Sequence, residues 1–133
     1  MVTHNRMATM LMFTGQAEEA IGFYTGLFAD SSVEVIEHYG PEAGDMAGQV
    51  VHARFCVAGQ LVLAMDSPPV HDFTFTPSTS FFVTCDSDVE VGRLFAALSE
   101  GGSVLMGLDG YPFAKRYAWV NDRFGVSWQL VFR

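Results

Sequence analysis

The side chains best suited to chemistry fall on two short alternating segments. His52 and Arg54 alternate with Val51, Ala53 and Phe55, so on a strand the two polar residues share one face. An imidazole titrates near neutrality, which suits His52 to general-base work. Further on, Tyr117, Trp119 and Asn121 alternate with Ala118 and Val120, giving a second strand a polar and aromatic face. Trp119 offers an indole plane on which a flat ligand can stack. Asp66 ends a strand and reads as a turn residue, His71 lies in a proline-rich stretch, and His38 follows an alternating strand. Cys56 and Cys85 form no CxxC pair and no zinc-knuckle spacing, so they read as free, buried thiols.

The elements that position these residues come from periodicity and turn residues. Ala8 to Phe13 is an apolar run that fits a buried strand. Ala17, Ala20, Ile21, Tyr24, Leu27 and Phe28 then recur at helical spacing, with Glu18 and Glu19 near the positive end of the helix dipole. Val33 to Glu37 alternates as a strand, Tyr39 to Gly48 reads as a loop, and Val50 to Val57 and Leu61 to Met65 form a hairpin around Ala58-Gly59-Gln60.

After a segment holding Pro68, Pro69 and Pro77, the pattern restarts. Ser80 to Thr84 is a strand. Ser87 to Glu90 matches a capping box ahead of the stripe Val91, Leu94, Phe95 and Leu98, and Gly101-Gly102 stops that helix. Val104 to Leu108, Arg116 to Asn121 and Val126 to Phe132 are three further strands, with Asp109 to Pro112 as a turn. The halves overlay with Leu11 on Phe82, Ala20 on Val91, Tyr24 on Phe95 and Leu27 on Leu98. One domain of 133 residues is expected. It would hold a module over about residues 7–66, a linker at about 67–79 and a second module at about 80–133.

Composition narrows the partners. Half of the residues are hydrophobic, enough for a core at this length. No run approaches the roughly 18 apolar residues of a membrane span, and Met1 to Arg6 does not begin a secretory signal. A cytoplasmic protein is expected. The net charge of −8 disfavours nucleic acid and anionic membrane as partners.

Ala20-Ile21-Gly22-Phe23-Tyr24-Thr25-Gly26-Leu27-Phe28 resembles the first helix of the vicinal-oxygen-chelate superfamily. That superfamily includes glyoxalase I, bleomycin-resistance proteins and extradiol dioxygenases. Asn121 to Leu130, with Asp122-Arg123-Phe124-Gly125 and Trp128, resembles its closing motif; with Phe73-Thr74-Phe75 it is most similar to the PhnB-like branch. The resemblance implies an α+β fold of two tandem βαβββ modules, their mixed sheets curving round a cup that holds a small ligand, usually in a homodimer.

Metal enzymes of the superfamily set four ligands, usually His, Glu or Gln, on strands facing that cup. Carried over by position, they fall on Thr9, Leu63, Ser80 and Gln129. One amide, two hydroxyls and an aliphatic do not make a divalent-metal site, so no metal and no other cofactor is expected. The cup-facing candidates are therefore Thr9, His52, Arg54, Leu63, Ser80, Trp119 and Gln129, with Trp128 on the opposite parity beneath a helix. The expected function is small-molecule binding without a tightly held catalytic metal. One alternative is a metal-dependent lyase, isomerase or dioxygenase drawing on His52, Asp66, His71 and Gln129; another is a structural or regulatory dimer. Some PhnB-like proteins carry a demethylubiquinone methyltransferase label. The lack of a glycine-rich loop after a strand argues against that activity here.

Overall fold

The computed structural model of the protein describes residues 6–133; residues 1–5, most of the stretch read above as not beginning a signal, lie outside the described residues. The chain divides into two compact units, one ending at His71 and the other starting at Asp72. The fold is α+β, with eight strands in two four-stranded sheets among the described residues.

The first unit runs β1 (Thr9–Phe13), α1 (Ala17–Leu27), β2 (Ser32–His38), a 3-10 segment (Pro41–Met46), β3 (Val50–Val57) and β4 (Gln60–Asp66). Its sheet has the order β1-β4-β3-β2, with β1 parallel to β4 and the other pairs antiparallel. The proline and glycines of the expected loop shape that 3-10 segment, which turns at Gly44. Leu11, Ala53, Phe55, Val62 and Ala64 are buried on one face of the sheet, as are Ala17, Ala20, Ile21 and Tyr24 of α1. Full burial of a side chain such as Ile21 stabilises the unit by about 1.5–3 kcal/mol.

The second unit repeats the order: β5 (Ser80–Thr84), α2 (Asp88–Ser99), β6 (Ser103–Tyr111), β7 (Ala114–Asn121) and β8 (Ser127–Phe132), with sheet order β5-β8-β7-β6 and β5 parallel to β8. Val91, Leu94 and Leu98 of α2 are buried, as are Ala118, Val120, Trp128 and Leu130 on one face of the sheet. Trp128 lies on this face as expected, 4.9 Å from the Phe81 ring. The Ser87 hydroxyl accepts from the Glu90 amide at 3.0 Å, completing half of the capping box. The Glu90 carboxylate reaches back to the Asp86 amide at 2.7 Å rather than to that of Ser87. Asp109 to Tyr111, expected as a turn, continue β6, because Asp109 pairs with Tyr117 and Tyr111 with Ala114.

Burial corrects the overlay of the halves by one residue. Ile21, Tyr24 and Phe28 are buried in the first unit where Val91, Leu94 and Leu98 are buried in the second. On that register Leu11 corresponds to Phe81, and Met10, not Thr9, corresponds to Ser80.

Two carboxylates hold the loops in place. Asp66, 1% exposed, is no mere turn residue. Its Oδ1 accepts from the Gly15 and Ala17 amides at 2.8 and 3.0 Å, and its Oδ2 from the Val50 amide at 2.9 Å. It thereby caps α1, whose own Gln16 supplies no side-chain cap. Asp122 serves the second unit: Oδ1 accepts from the Phe124 and Val126 amides at 2.9 and 3.0 Å, and Oδ2 from the Trp128 indole at 2.9 Å. The closing motif noted in the sequence is therefore the chemistry of a tight β7–β8 connection. Gly102 is required where it stands, since a Cβ there would run into the Asn121 carbonyl oxygen.

Candidate functional site

Each sheet has a face turned away from its helix, and the register fixes which side chains share it. In the second unit three rows cross the strands. Asn121, Ser127 and Ser80 stand side by side in the first; Met106, Trp119, Gln129 and Phe82 in the second; Asp109, Tyr117, Val131 and Thr84 in the third. Ser80, Trp119 and Gln129, all expected to share a face, are brought together here.

Gln129 is the centre of this surface. Its carboxamide oxygen accepts a hydrogen bond from the Tyr117 phenol at 2.6 Å, and its nitrogen donates to the Ser80 hydroxyl at 2.8 Å. The Trp119 indole donates to the Ser127 hydroxyl at 2.9 Å. Tyr117 itself is buried against Ala114 and Val131, with Met106, Tyr111 and Trp119 packed on that cluster. The Tyr111 and Phe113 rings meet Tyr117 edge-on, centroids 5.5 and 4.9 Å away. Burial, and then the neighbouring Tyr111, raises the Tyr117 phenol above its ordinary range, so it stays a protonated donor at neutral pH. Phe82 remains 53% exposed beside Gln129, an unusual position for a ring on a strand.

Tyr117 was legible in the sequence only as part of an alternating face. Its role depends on a diagonal reach to Gln129 on the neighbouring strand β8, which no local spacing reports.

The first unit offers a different surface. Met10, Leu63, Arg54 and Val35 form one row across its four strands, and His52 stands opposite Glu37. Leu63, His52 and Arg54 thus share the face turned from α1. Thr9 does not: it pairs with Val62, which pairs with Phe55, on the face that α1 covers. The carry-over to Thr9 counted back from Ile21-Gly22-Phe23-Tyr24 and went one residue past Met10, and in a strand one residue reverses the face. Arg54 is engaged by Glu34, Nε to Oε2 at 2.6 Å, with both side chains about one-third exposed. His52 makes no hydrogen bond among the described residues, so nothing orients its ring as a base is oriented in a catalytic pair. His38 instead contacts Glu18 at 2.7 Å.

The donors at the superfamily's ligand positions do not fit a divalent metal. Leu63 has none, Thr9 faces α1, and Ser80 and Gln129 are hydrogen-bonded to each other. Both cysteines are free; Cys85 is buried and Cys56 half-buried. Burial, and then the Glu90 and Asp86 carboxylates, push the Cys85 thiol up to about 11, which keeps it un-ionised and unreactive.

Comparison with known proteins gives this geometry a setting. The sequence matches the family described as 3-demethylubiquinone-9 3-methyltransferase over residues 5–131. A PhnB protein from Bacillus cereus, provisionally given that same methyltransferase designation, is 43% identical with a TM-score of 0.93, covering 97% of this chain and 100% of its own. Protein PA1353 from Pseudomonas aeruginosa is 30% identical with a TM-score of 0.83, covering 98% of each chain. The fosfomycin resistance protein FosX from Listeria monocytogenes is 12% identical with a TM-score of 0.64, covering 98% of this chain and 94% of its own, and shares the fold. No curated protein matches the sequence.

Proposed function

For a chain that belongs to the 3-demethylubiquinone-9 3-methyltransferase family, in its PhnB-like form, we propose the binding of a small organic molecule without a tightly held catalytic metal. The ligand lies on the face of the second sheet turned from α2. The observation that carries this reading is the Tyr117–Gln129–Ser80 chain of hydrogen bonds, set between Trp119 and the exposed Phe82. Few polar groups, held in fixed orientation among aromatic side chains, are the usual make-up of a small-molecule site.

Methyl transfer from a nucleotide cofactor has less support. Each sheet contains a single parallel pair, unlike the mostly parallel sheet of dinucleotide-type folds. The turn between β1 and α1, where such a cofactor would meet free amides, already has its Gly15 and Ala17 amides bonded to Asp66.

The test is a fragment titration followed by amide and indole NMR signals. Shifts should gather at the Trp119 indole, the Gln129 side-chain amide and Phe82; shifts confined to other residues would overturn the site. Metal analysis of tag-free protein should find well under one equivalent. A stoichiometric divalent ion lost on Gln129→Ala would replace binding by metal chemistry. We also propose a homodimer, to be checked by light scattering, where a monomer at all concentrations would refute it.

A further inference from the structure

The hydrogen-bond polarity of the Gln129 site selects a ligand class. The inference rests on the binding site just proposed and goes on to its chemistry. At 2.6 Å the contact with Tyr117 is short for N–H···O and ordinary for O–H···O, so the carboxamide oxygen is the atom that faces the phenol. The nitrogen then faces Ser80 at 2.8 Å, and the Ser80 oxygen is the acceptor. With its oxygen used as an acceptor, the Ser80 hydroxyl proton is free to point elsewhere. The second N–H of Gln129 is also left over, because an amide nitrogen has two protons and the chain of bonds uses one. Tyr117, which fixes this arrangement, is 4% exposed and offers nothing directly. The half-buried centre of the face therefore presents two donors, the protons that this chain of bonds leaves uncommitted.

The surroundings add shape and charge. Gln129 stands between Trp119 on β7 and Phe82 on β5, one strand away on either side. The two aromatic residues are thus separated by two strand spacings, about 9.6 Å at the backbone. A planar body lying over Gln129 would meet an aromatic side chain on either side. Among the residues named in the three rows, Asp109, at one edge opposite Tyr117, is the charged one. The Arg133 guanidinium lies 5.9 Å from the outer Phe82 ring. One charge of each sign at the margins leaves the centre neutral.

We infer that the site recognises an uncharged, planar aromatic molecule through a carbonyl-type oxygen, received by the Gln129 amide and the Ser80 hydroxyl, with Tyr117 as the residue that sets this preference. Four probes of nearly one shape test it: 2-acetylnaphthalene, 2-ethylnaphthalene, 2-naphthol and 2-naphthoate. Binding is followed at the Trp119 indole signal, with the Trp128 indole as the folding control. In the native protein the acetyl compound should bind about tenfold more tightly than the ethyl compound, and the naphthoate no better than the ethyl compound. Gln129→Leu should bring acetyl and ethyl compounds within about twofold of each other. Tyr117→Phe should release the carboxamide to turn, so the acetyl preference shrinks and 2-naphthol gains; a purely structural role for Tyr117 would weaken all four alike. Equal acetyl and ethyl binding, or strongest binding of the naphthoate, overturns the ligand class and leaves the site standing. No response at Trp119 to any probe overturns both.

Discussion

Replacing Asp66 should cost the first unit more than any surface change, because one side chain satisfies three backbone donors from two different loops. The carboxylate is 1% exposed and accepts from Gly15, Ala17 and Val50 at 2.8, 3.0 and 2.9 Å. A hydrogen bond to a charged group contributes about 1.5–3 kcal/mol, and a stranded buried donor costs about 1–3 kcal/mol. The three share one acceptor and are not additive, so Asp66→Ala is expected to lose about 3–5 kcal/mol. Asp66→Asn can keep the Oδ1 position as a carbonyl for Gly15 and Ala17, but it turns an NH₂ toward the Val50 amide, donor against donor. It should lose about half as much. Urea unfolding followed by far-UV circular dichroism gives the stability. Tryptophan fluorescence does not report this unit, since Trp119 and Trp128 both lie in the second. Hydrogen exchange at the three amides gives the mechanism: all three should lose protection in the alanine variant, and chiefly Val50 in the asparagine variant. A loss below about 1 kcal/mol for Asp66→Ala, or unchanged exchange at these amides, would refute the reasoning.

Further outcomes follow from the second unit. The Cys85 thiol should escape alkylation near pH 8 while Cys56 reacts, because Cys85 is buried and pushed up to about 11. Below pH 9 both folded and unfolded states keep that proton, so its contribution to stability is complete. As pH rises from about 9 toward 11 the unfolded thiol ionises first, and about 2–3 kcal/mol should be lost; Cys85→Ala should flatten this slope in pH-dependent urea unfolding. Ser87→Ala removes the α2 cap and should cost about 1 kcal/mol by the same measurement. Gly102→Ala drives a methyl into the Asn121 carbonyl oxygen and should lower the melting temperature by more than about 4 °C, as expected for a loss above 1 kcal/mol in a small domain.

The elements were legible because their signals are local. Apolar periodicity placed both helices and all eight strands, and Ser80–Thr84 and Val50–Val57 agree with the structure at both ends. Where reasoning slipped, a non-local term decided the matter. Tyr24 and Phe95 look interchangeable in sequence, yet the buried partner of Tyr24 in the repeat is Leu94; the count back from the first helix to Thr9 was likewise one residue off, which put that residue on the covered face. Asp66 looked like any polar strand end, because the amides it serves lie 16 to 51 residues away. The turn expected at Asp109 to Pro112 lost its first three residues to β6, since pairing with β7 outweighs the preference of Asp and Gly for turns. At the site, residue types alone placed Trp119 on its face, and the resemblance added Ser80 and Gln129. The direction of the hydrogen bonds needed the atoms.

The parallel pairing of β1 with β4 and of β5 with β8 also governs the order of events during synthesis. A hairpin forms as soon as its second strand leaves the ribosome, but β1 has no partner until β4 has been made. Through that interval the segment Thr9–Phe13 waits as an apolar strand with both edges bare, the kind of segment that chaperones bind and that aggregates when translation is crowded. Asp66, the last residue of β4, arrives with the partner strand and joins the loops beside it in the same step. Each unit thus closes late and all at once, so slowed translation before Asp66 has left the ribosome should lengthen the vulnerable period, whereas slowing after it has emerged should have little effect on the yield of the first unit.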